Sequence, residues 1–269
     1  MTRPRLYAGY CLDLDGTVYL GDELLPGAAE TVRELRESGA RVVFVTNKPL
    51  HTGAEYAAKL TSLGIPTPAE DVVTAVDALV HYLAARHPGE RVLAIAEEVV
   101  TRRLADEGFA VVADPAEADL VVVAFDRTFS YAKLHAGFRA VRERGAPIVA
   151  TNPDPYCPTP EGGLPDCAAM LAALEACTGA SAEAIVGKPS RLMAEAVAAR
   201  LRVPADDVAF VGDRIDTDVA MGREFGAAGI LVLTGATSAA AVAGHDVEPD
   251  FVLDGIGQLL PARERGAHP

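Results

Sequence analysis

No run of about 18 apolar residues occurs in the 269-residue chain, so a helix that crosses a bilayer is not expected. The opening Met1-Thr2-Arg3-Pro4-Arg5 lacks the apolar stretch and small-residue cleavage site of a secretory signal, which makes the cytoplasm the expected location. Cysteine is scarce: Cys11, Cys157, Cys167 and Cys177 fall in no CxxC pair, which argues against a zinc site, and in a cytoplasmic chain they are expected as reduced or buried thiols. Basic residues are few. Lys and Arg number 24 against 38 Asp and Glu, a net charge of -14, and nucleic acid is therefore not an expected partner, because binding its backbone needs clustered cations. An acidic protein that handles anions must gather its positive charge locally.

What is present describes a soluble globular chain: 50% hydrophobic and 23% charged residues, with enough length for one core plus an insertion. Tyr7 to Leu14 reads as a short buried strand running into the turn Asp15-Gly16-Thr17. A helix is predicted over Pro26 to Ser38, with Ala29, Val32 and Leu35 on one face and Gly39 as its stop, followed by a second buried strand at Arg41 to Thr46. A strand-helix-strand unit implies a parallel sheet. Tyr56 to Leu63 and Val72 to Ala85 read as helices. After His87-Pro88-Gly89 the alternation restarts, with strands at Val92 to Ala96, Leu120 to Phe125 and Pro147 to Thr151. Between them lie helices at Val100 to Glu107 and Tyr131 to Arg144. Asn152 to Asp166 reads as a long loop, which in a compact domain is usually functional. The last third returns to the first pattern: a strand at Val208 to Gly212, an aspartate-rich loop, a helix over Asp218 to Phe225, and strands at Gly229 to Leu233 and Phe251 to Leu253. The expected fold class is α/β: a doubly wound parallel sheet with a smaller α/β domain inserted.

Four short segments carry chemistry. Cys11-Leu12-Asp13-Leu14-Asp15-Gly16-Thr17 sets two carboxylates two residues apart at a strand end, where alternation turns both to one side. Such a pair repels itself without a cation, although Asp and Gly also serve ordinary turns. Gly212-Asp213-Arg214-Ile215-Asp216-Thr217-Asp218 is a second acid cluster directly after an apolar strand, so Asp213 and Asp218 can converge on Asp13. Asp218 is also placed to cap a helix. Oxygen ligands of this kind suit Mg²⁺. Thr46-Asn47 closes the second strand, and Gly187-Lys188-Pro189-Ser190 precedes a helix. A hydroxyl, an amide and an ammonium together can bind the oxygens of a phosphate. Alone, Lys188 would read as a solvated lysine. It is not a P-loop lysine, since Ala182 stands where that motif requires glycine.

Taken in order, DLDGT, TN, GKPS and GDRIDTD match the four signature motifs of the haloacid dehalogenase superfamily of phosphohydrolases, and the chain resembles that family over nearly its whole length. The insertion between the second and third motifs, with Leu24-Leu25-Pro26-Gly27-Ala28 and Thr151-Asn152-Pro153-Asp154, is similar to the branch of NagD-like and p-nitrophenylphosphatase-like enzymes. The resemblance implies a core formed by residues 1–81 and 185–269, with an α/β cap over 82–184. It implies a phosphatase that acts on a small phosphate ester through an aspartyl-phosphate. Asp13 is then the nucleophile, Asp15 the general acid and base, and Thr46, Asn47 and Lys188 the phosphate ligands. Mg²⁺ would be held by Asp13, the Asp15 carbonyl and Asp213, with Asp218 behind them and Asp216 a weaker candidate. Relatives also imply a homodimer through the cap.

Within that branch the cap selects the substrate, and its loop Asn152 to Pro158 is expected to reach the leaving group. Cys157 stands where related pyridoxal phosphate phosphatases carry histidine, and Gly163-Leu164-Pro165-Asp166 departs from the Pro-Gly-x-Gly of many relatives. The first departure argues against pyridoxal phosphate and the second loosens any assignment to the best-known members; a sugar phosphate is the expected class, as in the AraL-like part of the branch. Cys157 can equally be an apolar filler. Lys48 stands where relatives often have asparagine, and either attracts anions or is solvated. Two other classes fit parts of the pattern: a receiver-type phospho-acceptor module, which lacks an inserted cap and an acid like Asp15, and a binding protein that has lost activity. A phosphomutase would carry its cap between the first two motifs, where the stretch from Thr17 to Thr46 has room for only one helix and one strand.

Overall fold

The computed structural model describes residues 4–159 and 162–260; the opening three residues and the charged tail 261–269 lie outside them. The described residues form two compact units. One takes the chain up to Val45, Ala57–Val72 and the chain from Val197; the other takes Thr46–Tyr56 and Val73–Ala196. Among the described residues no helix is long and apolar enough to cross a membrane.

The first unit is built on the strand Gly9–Asp13, all five of whose residues are buried. Arg41–Thr46 runs parallel on one side of it and Val208–Gly212 on the other, so Tyr10, Cys11 and Leu12 meet other side chains on both faces and must be apolar along their length. Beyond Val208–Gly212 come Ala228–Val232 and Phe251–Leu253, also parallel, and Val72–Thr74 lies at the opposite edge. The chain leaves Gly9–Asp13 for one neighbour and reaches the other only in its last third, so the strand order reverses there. In open α/β sheets a ligand crevice opens at the carboxyl ends of such strands. The register sets Leu12 opposite both Phe44 and Val211, which brings Asp13 level with the end of Val208–Gly212, where Asp213 follows.

The helix Ala28–Glu37 buries Ala28, Thr31, Val32 and Leu35, so its apolar stripe starts one residue earlier than Ala29. Those four positions follow the i, i+3, i+4, i+7 spacing of a helix face.

The second unit holds a five-stranded parallel sheet in the order Ala184–Ile185, Ile148–Ala150, Leu120–Val123, Arg91–Ile95, Ala110–Val112. Leu93, Ile95, Val121, Val123 and Ile148 pack with Ala140, Leu171 and Leu174, which come from the helices Tyr131–Arg144 and Cys167–Thr178. Cys167 is fully buried in this core, and burial pushes its thiol up to about 11.

Two segments differ from the sequence reading. Val72–Thr74 is a strand and the helix begins at Ala75, because Thr74 forms a capping box: its hydroxyl accepts from the Asp77 N–H, while the Asp77 carboxylate accepts from the Thr74 N–H at 3.0 Å. The stretch expected as a loop contains an antiparallel hairpin, Tyr156–Thr159 with Gly162–Pro165, which pairs Cys157 with Leu164.

Candidate active site

In the first unit, the carboxyl edge of the sheet gathers three buried acids. Asp13 ends its strand, Asp213 directly follows Val208–Gly212, and Asp218 lies in the π-turn Ile215–Val219 that joins this strand to the helix Ala220–Phe225. One carboxylate oxygen from each lies within 4.8 Å of the others. Asp218 does not cap the helix. Its carboxylate folds back to accept from the Arg214 N–H at 3.1 Å, and the Val219 N–H reaches the Arg214 carbonyl, the wide-turn bond that gives Asp218 room to face the strand end.

Glycines let these acids approach the backbone. A Cβ on Gly212 would sit 2.0 Å from Asp218 Cγ, and one on Gly16 would sit 2.8 Å from Asp213 Oδ2. Gly16 also has φ of +90°, which other L-residues rarely adopt, and turns the chain sharply so that Asp15, half-buried, stands just past the strand end. Asp216 stands apart: its carboxylate is exposed and pairs with His245 at 3.0 Å.

The sequence reading missed the segment Thr234-Gly235-Ala236-Thr237. The Ala236 N–H donates to Asp213 Oδ2 at 2.5 Å, the Thr237 N–H to the Asp213 carbonyl at 3.1 Å, and the Thr234 hydroxyl to the Gly16 carbonyl at 2.6 Å. This loop thus fixes both the Asp213 carboxylate and the Gly16 turn. Its signal was positional: it follows the strand Ala228–Val232, next to Val208–Gly212 and at the same edge of the sheet.

Three carboxylates this close and this buried are poorly matched to an empty interior. At an effective dielectric near 20, each ionised pair within 4.8 Å repels by roughly 3 kcal/mol or more. A small hard cation fits the donor set, since all three offer oxygen. A Cβ on Gly235 would lie 2.0 Å from Asp213 Oδ2 and displace it. Gly235→Ala is therefore expected to weaken binding of a small hard cation at these acids by about 10-fold to 100-fold, the usual cost of disturbing a group that orients a ligand. A thermal-shift titration with Mg²⁺ checks this, and an unchanged midpoint contradicts it.

In the second unit, Thr46, Asn47 and Lys188 are all buried, and Lys48 is half-buried. Thr46 Oγ1 accepts the Lys48 N–H at 3.1 Å, which leaves its own hydrogen to donate. The Asn47 side-chain amide is fully hydrogen-bonded within this unit. Oδ1 accepts the Lys188 N–H at 2.7 Å, and Nδ2 donates to the Lys188 carbonyl at 3.1 Å and to Asp154 Oδ2 at 2.9 Å, so both Nδ2 hydrogens are spent. Cys157 is buried on the hairpin, whereas its neighbour Tyr156 is exposed.

The family model described as haloacid dehalogenase-like hydrolase matches residues 10–110, and a second, HAD-hydrolase-like, matches residues 185–259. The sugar-phosphatase AraL of Bacillus subtilis is 36% identical over 259 residues, covering 96% of this chain and 94% of its own. The chain belongs to the haloacid dehalogenase superfamily. Within it the chain falls in the NagD-like and p-nitrophenylphosphatase-like branch of phosphatases. The crystal structure of a 4-nitrophenylphosphatase from Thermotoga maritima superposes with a TM-score of 0.87 at 35% identity, covering 94% of this chain and 96% of that one. A glycerol phosphate phosphatase from Mycobacterium tuberculosis, solved in complex with magnesium, gives a TM-score of 0.85 at 34% identity and covers 94% and 76% of the two chains. That membership sets aside the receiver-type reading.

Proposed function

We propose that this phosphatase hydrolyses a small phosphate monoester, with a sugar phosphate as the favoured class, through an aspartyl-phosphate on Asp13. The observation that carries the reading is the buried convergence of Asp13, Asp213 and Asp218 at the reversal point of the sheet. Asp13 attacks phosphorus in line, and its new bond forms as the bond to the leaving oxygen breaks. Asp15 gives that oxygen a proton, then takes one from the water that cleaves the acyl phosphate. The Thr46 hydroxyl and the Lys188 ammonium donate to the non-bridging oxygens, and Asn47 serves them by holding the Lys188 main chain. Asp13, the Asp15 carbonyl and Asp213 would hold Mg²⁺, with Asp218 beside them. Bound there, the ion would offset the negative charge of the phosphoryl group.

Residues 1–81 and 185–269 would form the catalytic core and 82–184 the cap that admits the substrate. The sugar-phosphate preference is supported by the AraL relative. A chromogenic phosphate ester assayed with and without EDTA tests the activity, and loss of turnover on chelation that Mg²⁺ restores is the expected result. Turnover insensitive to EDTA would overturn the metal assignment. A panel of phosphorylated sugars, nucleotides and cofactors, compared by kcat/KM, then ranks the substrates.

If the loop holding Cys157 meets the leaving group, Cys157→His is expected to reorder that ranking by about 10-fold to 200-fold between substrates, the scale of one pocket contact. Mg²⁺ activation should stay as it was. A single common factor for every ester would make Cys157 a packing residue.

A further inference from the structure

A buried ammonium can meet a phosphate only if its own main chain is held closely in place, since displacement by about 1 Å can cost 100-fold in rate. Both main-chain polar groups of Lys188 are answered by one side chain, the amide of Asn47. This two-point clamp needs that amide in one orientation. Turned over, it would set donor against donor and acceptor against acceptor. Asp154 selects the orientation: its Oδ2 accepts the remaining Nδ2 hydrogen at 2.9 Å, so this oxygen faces the nitrogen of the amide.

Asp154 is itself fixed at both of its main-chain polar groups. Its N–H donates to Asn152 Oδ1 at 3.0 Å and its carbonyl accepts the Ala168 N–H at 3.1 Å, while Asn152 Nδ2 donates to the Asn47 carbonyl at 3.0 Å and closes the ring. Asn47, Asn152 and Asp154 are all buried. Gly187 completes the fit, because a Cβ there would lie 2.5 Å from Asn47 Oδ1 and 2.4 Å from the Thr151 carbonyl. Three segments far apart in sequence are thus stitched at one point, and one of them continues directly to Cys157.

We propose that Asp154 is a positioning residue: it sets the Asn47 amide, the amide sets Lys188, and phosphate contact is thereby tied to the loop that carries Cys157. The inference rests on the reading of Lys188 as a phosphate ligand. Its signature differs from that of Cys157. A displaced Lys188 weakens the contact common to all esters, so the loss is uniform across substrates.

The test uses the full chain with Asp154→Ala, Asp154→Leu and Asp154→Asn. The asparagine variant can still present an oxygen to Asn47 Nδ2. Alanine and leucine are expected to lower kcat/KM by about 100-fold for every ester, to weaken inhibition by inorganic phosphate, and to leave the Mg²⁺ midpoint in place, while asparagine recovers most of the loss. Hydrogen exchange at the Lys188 amide, read by mass spectrometry, needs no turnover. It should quicken about 10-fold or more in the alanine and leucine variants and much less in the asparagine variant, as expected when a local hydrogen bond opens. Unchanged exchange in all three overturns the positioning role whatever the activity. Faster exchange with unaltered kcat/KM and phosphate inhibition would instead remove Lys188 from the phosphate site and leave the rest of the proposed mechanism standing. If alanine and leucine fail to fold, an asparagine variant as impaired as Asp13→Asn contradicts the proposal.

Discussion

Asp13→Asn is expected to abolish turnover, with a loss of about 10⁴-fold or more in kcat, while circular dichroism stays that of the parent protein. An amide nitrogen or oxygen is too weak a nucleophile to attack phosphorus, and it is also a poorer ligand for a hard cation. The fold should survive because the substitution keeps the size of the side chain and removes one of three mutually repelling buried charges. Stability to heat should therefore match or exceed that of the parent in the absence of metal. Activity above a trace in a well-folded Asp13→Asn protein would mean that the strand end does not supply the nucleophile.

Asp15→Asn should fail at a different step. With a good leaving group such as nitrophenolate, little protonation is needed, so attack by Asp13 proceeds and a stoichiometric burst of nitrophenol is expected. Hydrolysis of the acyl phosphate then stalls, because no base remains to take the proton from water, and the steady-state rate should fall by about 10²-fold to 10⁴-fold. With a poor leaving group such as a sugar alkoxide the first step should slow as well, so the burst should vanish. A burst-free reaction with both kinds of ester, or a steady-state rate like the parent's, would remove Asp15 from the chemistry.

The parts of this protein that are legible in sequence are those in which local pattern and long-range role coincide. Asp13 and Asp213 each end an apolar run, and a parallel sheet that buries such runs must present their ends together. Lys188 was legible only through its motif, since nothing local in Gly-Lys-Pro-Ser separates a buried lysine from a solvated one. The partners of the Asn47 side chain were hidden for a related reason. Whether an amide faces ligand or main chain depends on partners more than one hundred residues away. The strand Val72–Thr74 was hidden because Thr74 and Asp77 stop a helical pattern with side-chain hydrogen bonds and not with Gly or Pro. Thr234 to Thr237 was overlooked because its hydrogen bonds to Asp213 are made by main-chain N–H groups, and Gly235 alone marks the close approach of that carboxylate.

The covalent intermediate is tested most directly by acid-quenching the Asp15→Asn variant during the first turnover of nitrophenyl phosphate and mapping the protein by mass spectrometry. The account predicts a phosphoryl group on the peptide that contains Asp13, absent when Asp13→Asn is added to the same variant. Release of one equivalent of the leaving group with inorganic phosphate formed at the same rate, and no phosphoryl group on that peptide, would contradict it.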